Sequence, residues 1–326
     1  MPHRCSVRAR GSGAAPRQPF AGAVQIVVTP GSGAGRALAT AWRLATLLKR
    51  RAHVVDVRSF TDLAALSRWA ATCPPEASHI VCIGGDATLS AAAPAAMRRE
   101  IPFVPVPNGF GNMFAQVFGY SRRARAVVRL LEEGEVRRVD VGVARLETGE
   151  ELFLSHRSYG VLEQIQQVAE RRREQPRHRL LRYLWYHGVG YRFIFRSRLM
   201  SFQVEVDGTP VAEDAVLVTV ANVETYRGFL ELTPRASPID GLFDIFVIPR
   251  VSTFGLMRRF VSLMFRLPGR WRGVLLYRGR RVRVTTPRRR EELIVRRRAL
   301  PLLVPPGSIE ALRQRTLEDD PPLERP

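Results

Sequence analysis

From about Val24 the chain reads AVQIVVTP, a short β-branched apolar run, followed by the small-residue turn GSGAG and by ALATAWRLATLLKRR, whose apolar residues recur at helical spacing. Strand, loop and helix are predicted in that order. The order returns twice: HVVDVRSF precedes the helix-like DLAALSRWAAT, and SHIVCIGG closes on a glycine pair before an Ala-rich helical stretch. IPFVPVPNGFGNMFAQVFGY then supplies a fourth strand, another glycine loop and a helix. Strands alternating with helices imply a parallel α/β sheet with right-handed crossovers.

Around residues 136–143 this alternation stops. Short stretches separated by turns follow: RVDVGVARL, ETGEELFLS, MSFQVEVDGTPV, DAVLVTVANV, LFDIFVIPR, RGRRVRVTT and ELIVRRR. Such spacing predicts an antiparallel sandwich or barrel. Among its early strands lies Gly160 to Met200, a mostly helical insertion rich in arginine and aromatic residues. Residues 1–21 and 313–326 lack periodicity and read as tails, the first disordered and basic. The remainder divides into an α/β unit over 22–138 and a mainly antiparallel unit over 139–312.

Composition adds a direction. Hydrophobic residues at 45% and charged residues at 25% are ordinary for globular chains and exclude disorder of the whole. The net charge of +21 points to an anionic partner. Lys49 is the only lysine, however, so arginine spread amid Ala, Gly and Pro accounts for the charge as well as binding does. Cys5, Cys73 and Cys82 are odd in number and lack metal-like spacing, which disfavours a disulfide framework and a Cys-based zinc site. No stretch approaches the roughly 18 apolar residues of a membrane-spanning helix, and the N-terminal segment lacks the apolar run of a signal peptide. A cytoplasmic protein is expected, soluble or peripheral at the inner membrane face.

The candidate chemistry sits in loops at strand ends. Thr29-Pro30-Gly31-Ser32-Gly33 joins a strand to a helix, where small residues admit a ligand to the backbone and helix amides favour a phosphate. Gly84-Gly85-Asp86-Ala87-Thr88, with Leu89 and Ser90 after it, follows the third strand, and Asn108-Gly109-Phe110-Gly111-Asn112 follows the fourth. In open parallel sheets, ligands bind at the carboxyl ends of strands, so these loops share the expected edge. In order and spacing they resemble the NPxSG, GGDGT and PxGTxN motifs of the diacylglycerol kinase catalytic family, which includes bacterial lipid kinases and sphingosine kinases. Val220-Ala221-Asn222, Tyr226, Gly228, Leu232 to Ala236 and Ile239 to Asp244 resemble a further stretch of that family, in a similarity covering about residues 22 to 312.

The resemblance implies an α/β nucleotide domain of NAD-kinase-like type with a parallel sheet, a β-sandwich second domain and a cleft between them. It implies ATP and Mg²⁺ as cofactors. Thr29 to Gly33, Gly84 to Ser90, and Gly109, Phe110 and Asn112 would line the nucleotide, with Asp86 the central acidic residue. Asp240, with the main-chain carbonyls of Ser237 and Leu242, would occupy the family's structural magnesium position, and Asp244 would support that turn.

The sequence also departs from the pattern. Thr29 replaces Asn, Ala87 replaces a glycine, Ala91 stands where a glutamate is usual, and Phe110 replaces a threonine. Ala87 would be strained if its position needs positive φ. Aligning Leu293-Ile294-Val295 with the family's penultimate strand and Pro306 to Ile309 with its last strand puts Arg296-Arg297-Arg298 on the DGE motif, so the general base position falls on Arg298. Glu291 or Glu292 would supply a carboxylate only after a register slip.

Two basic-aromatic stretches, Arg177 to Arg198 and Met257 to Arg280, fit an interfacial membrane element or core helices with snorkelling arginines. His156, His178 and His187 show no ligand spacing. The leading expectation is an ATP-dependent lipid kinase acting on a lipid hydroxyl at an anionic membrane surface. The alternative is a relative that binds nucleotide or anionic lipid without turnover, and a nucleic-acid partner ranks third.

Overall fold

Val24, Ile26 and Val28 of the first strand point to one hydrophobic layer and Val27 to the other, the period-two split that a strand covered on both faces requires. The computed structural model describes residues 22–29, 36–109, 111–164, 200–224, 232–265, 267, 269–286 and 289–315. In it β1 (Ala23–Val28), β2 (Val55–Ser59), β3 (Ala77–Gly84) and β4 (Phe103–Pro107) pair in parallel in the order β2-β1-β3-β4. Helices α1 (Arg36–Lys49) and α5 (Ala124–Glu133) cover one face. The other is covered by α2 (Leu63–Ala71), α3 (Asp86–Arg99) and α4 (Met113–Val117). Helix α5 is an addition to the sequence reading, which placed one helix after the fourth strand.

The second half holds β5 (Glu135–Leu146), β6 (Gly149–Phe153), β7 (His156–Gly160), β8 (Phe202–Val206), β9 (Thr209–Ala221), β10 (Phe243–Pro249), β11 (Leu275–Gly279), β12 (Arg281–Thr286) and β13 (Arg289–Val304). These pair antiparallel, and β7 and β11 were not among the expected strands. Phe153 of β6 and Phe243 of β10 stack at 5.5 Å although five strands lie between theirs in the sheet, so the sheet doubles over a shared core as a sandwich. Helix α6 (Thr253–Met264), capped by the Ser252 hydroxyl at Gly255 N, packs Leu256 and Leu263 on the outer side of β9 to β11.

The two halves are hydrogen-bonded into one sheet. Strand β13 pairs with β12 and the distal part of β5, then continues to Val304, with Leu302 opposite Phe103 of β4. The boundary expected at residue 138 therefore falls inside β5. Residues 306–309, expected as a last strand, lead instead into α7 (Ser308–Arg315), because Leu300–Val304 already fills that place in the sheet. Helix α7 also carries order past residue 313, with Leu312 buried. The tails at 1–21 and 316–326, and the insertion's Arg177 to Arg198, lie outside the described residues.

Candidate functional site

Strands β1, β3 and β4 end side by side, and the first residues beyond them interlock. Thr29, following β1, places Oγ1 3.1 Å from Oγ1 of Thr88 in the first turn of α3, with both side chains buried. Gly85 and Gly109 meet backbone to backbone, leaving no room for a Cβ on Gly109, and Asn108 N donates to Gly84 O at 2.9 Å. Asn112, at φ +50°, clamps the third loop on itself: Gly109 N donates to its Oδ1 at 2.7 Å and its Nδ2 donates to Gly109 O at 2.8 Å. Thr29 and the described residues of the second and third loops thus meet at the carboxyl edge of the sheet.

Asp86 joins two of them. Met113 N and Phe114 N each donate to its carboxylate at 3.0 Å, so the side chain caps α4 while its backbone starts α3. Burial pushes the Asp86 carboxyl up, and these main-chain donors pull against that. Ala87 lies in the first turn of α3 at negative φ, so the strain expected of an alanine there does not arise. Leu89 is buried in the core. Ser90 Oγ donates to Asp86 O at 2.8 Å and accepts from Leu154 N at 3.2 Å, stitching α3 to the segment after β6. Pro30, Gly31, Ser32, Gly33 and Phe110 lie outside the described residues, as do Tyr226 and Gly228.

Asp140 is the centre that the sequence reading missed. It lies in β5 opposite a bulge where β13 moves from Arg296 to Leu300 while β5 moves only from Val141 to Val139. Its oxygens accept from Arg298 N and Gly241 N, each at 2.7 Å, and its own N donates to Pro238 O at 2.7 Å. Asn222, fully buried, donates through Nδ2 to Asp140 O at 3.0 Å and Leu154 O at 2.9 Å. Arg298 occupies the bulge at φ +49°. One buried carboxylate therefore fixes the aligned base position and the 238–241 turn together. A lone acid among the apolar residues of VDVGV was the available signal.

The sequence reading places a cation at Asp240, and the donor set does not fit one. Asp240 Oδ1 accepts from Leu242 N at 3.0 Å, and Oδ2 is paired with the Arg278 guanidinium. Arg278 Nε also stands 3.4 Å from Asp244 Oδ2. Burial pushes the Asp244 carboxyl up to about 7 against the pull of Arg278, and raises Asp240 as well. Ser237 is buried in the same turn and Leu242 is half-buried at its end. Among the described residues no group of three or more His, Cys, Asp or Glu side chains is arranged to hold a metal.

Neither glutamate offered as a substitute carboxylate is free. Glu291 is 1% exposed and accepts from Tyr159 Oη at 2.7 Å and Arg157 Nε at 2.8 Å, with Arg289 also paired to it. Burial and the Glu291 charge push the Tyr159 hydroxyl far up, which keeps it a donor. Glu292 faces Arg145, Arg281 and Arg283 at 3.3, 3.6 and 3.7 Å.

A parallel α/β sheet with interlocked glycine loops, continued by one long strand into an antiparallel sandwich, defines the class of two-part NAD-kinase-like folds. The chain matches the diacylglycerol kinase catalytic domain over residues 23–144 and the YegS C-terminal NAD kinase beta sandwich-like domain over residues 158–296. It belongs to this diacylglycerol kinase family. A diacylglycerol kinase of Mycobacterium tuberculosis is 27% identical over 252 residues, covering 74% of this chain and 78% of that protein. An uncharacterized protein of Synechocystis is 26% identical over 214 residues, 64% of this chain and 48% of that one. The crystal structure of a diacylglycerol kinase from Bacillus anthracis superposes with TM-score 0.62 at 16% identity, over 90% of this chain and 100% of that one. A further Bacillus anthracis structure gives 0.67 at 16% identity, over 89% and 99%.

Proposed function

We propose that the chain transfers the γ-phosphoryl group of ATP to the hydroxyl of a diacylglycerol or sphingoid-type lipid at an anionic membrane surface. The observation that carries this reading is the convergence of Thr29, Thr88, Gly85, Gly109 and Asp86 at the carboxyl edge of β1, β3 and β4. A nucleotide's phosphates suit that edge, where close-packed glycines admit the ligand and the first amides of α3 point outward. In the reaction the lipid oxygen bonds the γ-phosphorus, the bond to the β-phosphate oxygen breaks, ADP leaves, and the hydroxyl proton passes to solvent. Phosphoryl transfer depends chiefly on positioning and charge stabilisation. The exposed Arg296, Arg297 and Arg298 at the bulge suit the second task. Mg²⁺ enters with the ATP phosphates as part of the substrate.

A second reading, nucleotide or anionic-lipid binding without turnover, is favoured by one observation: Asp140, the carboxylate on β5 opposite the bulge, is held by two main-chain donors. A positioned base contributes on the order of 10²- to 10⁴-fold, so its loss favours slow turnover or none. The two readings separate on transfer of label from γ-labelled ATP with Mg²⁺ into a total lipid extract, beside Asp86→Asn checked for an intact melting transition. A labelled lipid that fades in the variant supports the kinase. ATP binding that the variant weakens, with no labelled lipid, supports the second reading.

A further inference from the structure

We propose that the guanidinium of Arg278 takes the place of a structural divalent cation at the Asp240–Asp244 turn, so that the second domain holds this turn without metal. The proposal concerns the turn alone and stands whether or not the chain turns over substrate.

The pairing follows from register. Asp244 of β10 and Arg278 of β11 are direct cross-strand partners, so their side chains leave the sheet on the same face at adjacent positions. The long arginine stem then carries the guanidinium past Asp244, whose Oδ2 lies 3.4 Å from Nε, to Asp240, to which Nη2 donates, so one delocalised cation sits between the two carboxyl groups. Removing Arg278 would leave two acidic groups facing each other across a tight turn.

Several of the oxygens near the turn are already committed. A hard cation takes six or more oxygens. Of the nearby acids, Asp140 gives its oxygens to Gly241 N and Arg298 N, and Asp240 gives Oδ1 to Leu242 N. The Pro238 carbonyl accepts from Asp140 N. Further positive charge crowds the turn: Arg297 lies directly against Gly241, and the charge of Arg235 is felt at Asp244. Geometry and charge agree.

The test uses full-length, metal-stripped protein without nucleotide, and reads the melting midpoint in EDTA and in millimolar MgCl₂. The wild-type midpoint is expected to be the same in both. Arg278→Gln is expected to lower it by about 5 °C in EDTA, and Arg278→Lys by less. A wild-type midpoint that rises with MgCl₂, by an increment that Asp240→Asn abolishes, overturns the proposal. So does an Arg278→Gln protein as stable in EDTA as the wild type. Should Arg278→Gln fail to fold, the MgCl₂ comparison on wild type and Asp240→Asn decides alone.

Discussion

Truncating Asp140, itself 1% exposed, to alanine takes the acceptor from two main-chain donors, Gly241 N and Arg298 N. Each unsatisfied buried donor costs about 1–3 kcal/mol, so a loss of about 2–5 kcal/mol is expected. Urea denaturation of Asp140→Ala should return a lowered midpoint, and Asp140→Asn, which keeps one acceptor, should fall between. An alanine variant with the wild-type midpoint would show that the bulge holds itself. The residue also marks where reading the sequence stops. Thr29, Asp86 and Gly109 were legible because each sits in a short segment whose composition is unusual by itself. Asp140 and Arg278 were not, because their partners are Arg298, Gly241, Asp240 and Asp244, distant in sequence or on another strand. A lone charge in a strand says that something balances it, without saying what.

At the scale of elements, α6 presents two faces. Leu256 and Leu263 enter the core, while Phe254, Arg258 and Phe265 recur at spacings of four and seven residues and are exposed, Phe254 at 69% and Phe265 at 58%. Leu267 and Arg272 extend the exposed surface, and Arg270 lies 5.3 Å from the Trp271 ring. Large apolar groups set among arginines suit the headgroup layer of an anionic bilayer. Phe254→Ser with Phe265→Ser is therefore expected to weaken cosedimentation with phosphatidylglycerol vesicles by at least about tenfold, since each buried methylene-sized group contributes on the order of 0.8 kcal/mol. Equal binding by the double variant would assign α6 no part in membrane contact. The sequence announced this stretch by composition. Which of its aromatics face inward depended on the packing of α6 over β9 to β11, which no local pattern carries. Strands β7 and β11 escaped notice for a related reason, since HRSYG and LLYRG alternate too weakly to stand apart from their surroundings.

For the whole molecule, pH sets opposed contributions within one window. Burial lowers both His156 and His79 to about 4, so each stays neutral in the fold while an unfolded histidine takes up a proton near 6.5. A folded pKa below the unfolded one contributes stability that is present above 6.5 and lost as pH falls toward 4. Asp244 acts with the reverse sign. Its carboxyl, raised to about 7, keeps a proton that the unfolded chain gives up near 3.8, so its contribution is present at low pH and lost as pH rises to about 7. Each group is worth on the order of 3 kcal/mol across its range, so Asp244 offsets about one of the two histidines and the wild-type stability should still decline on acidification, by about one group's worth. The single variants uncover the parts. From pH 6.5 to 4, the calorimetric midpoint of Asp244→Asn should fall more steeply than that of wild type, and the midpoint of His156→Gln less steeply. Identical slopes for Asp244→Asn and wild type would mean that Arg278 holds Asp244 ionised throughout, a stronger ion pair than burial otherwise permits at that turn.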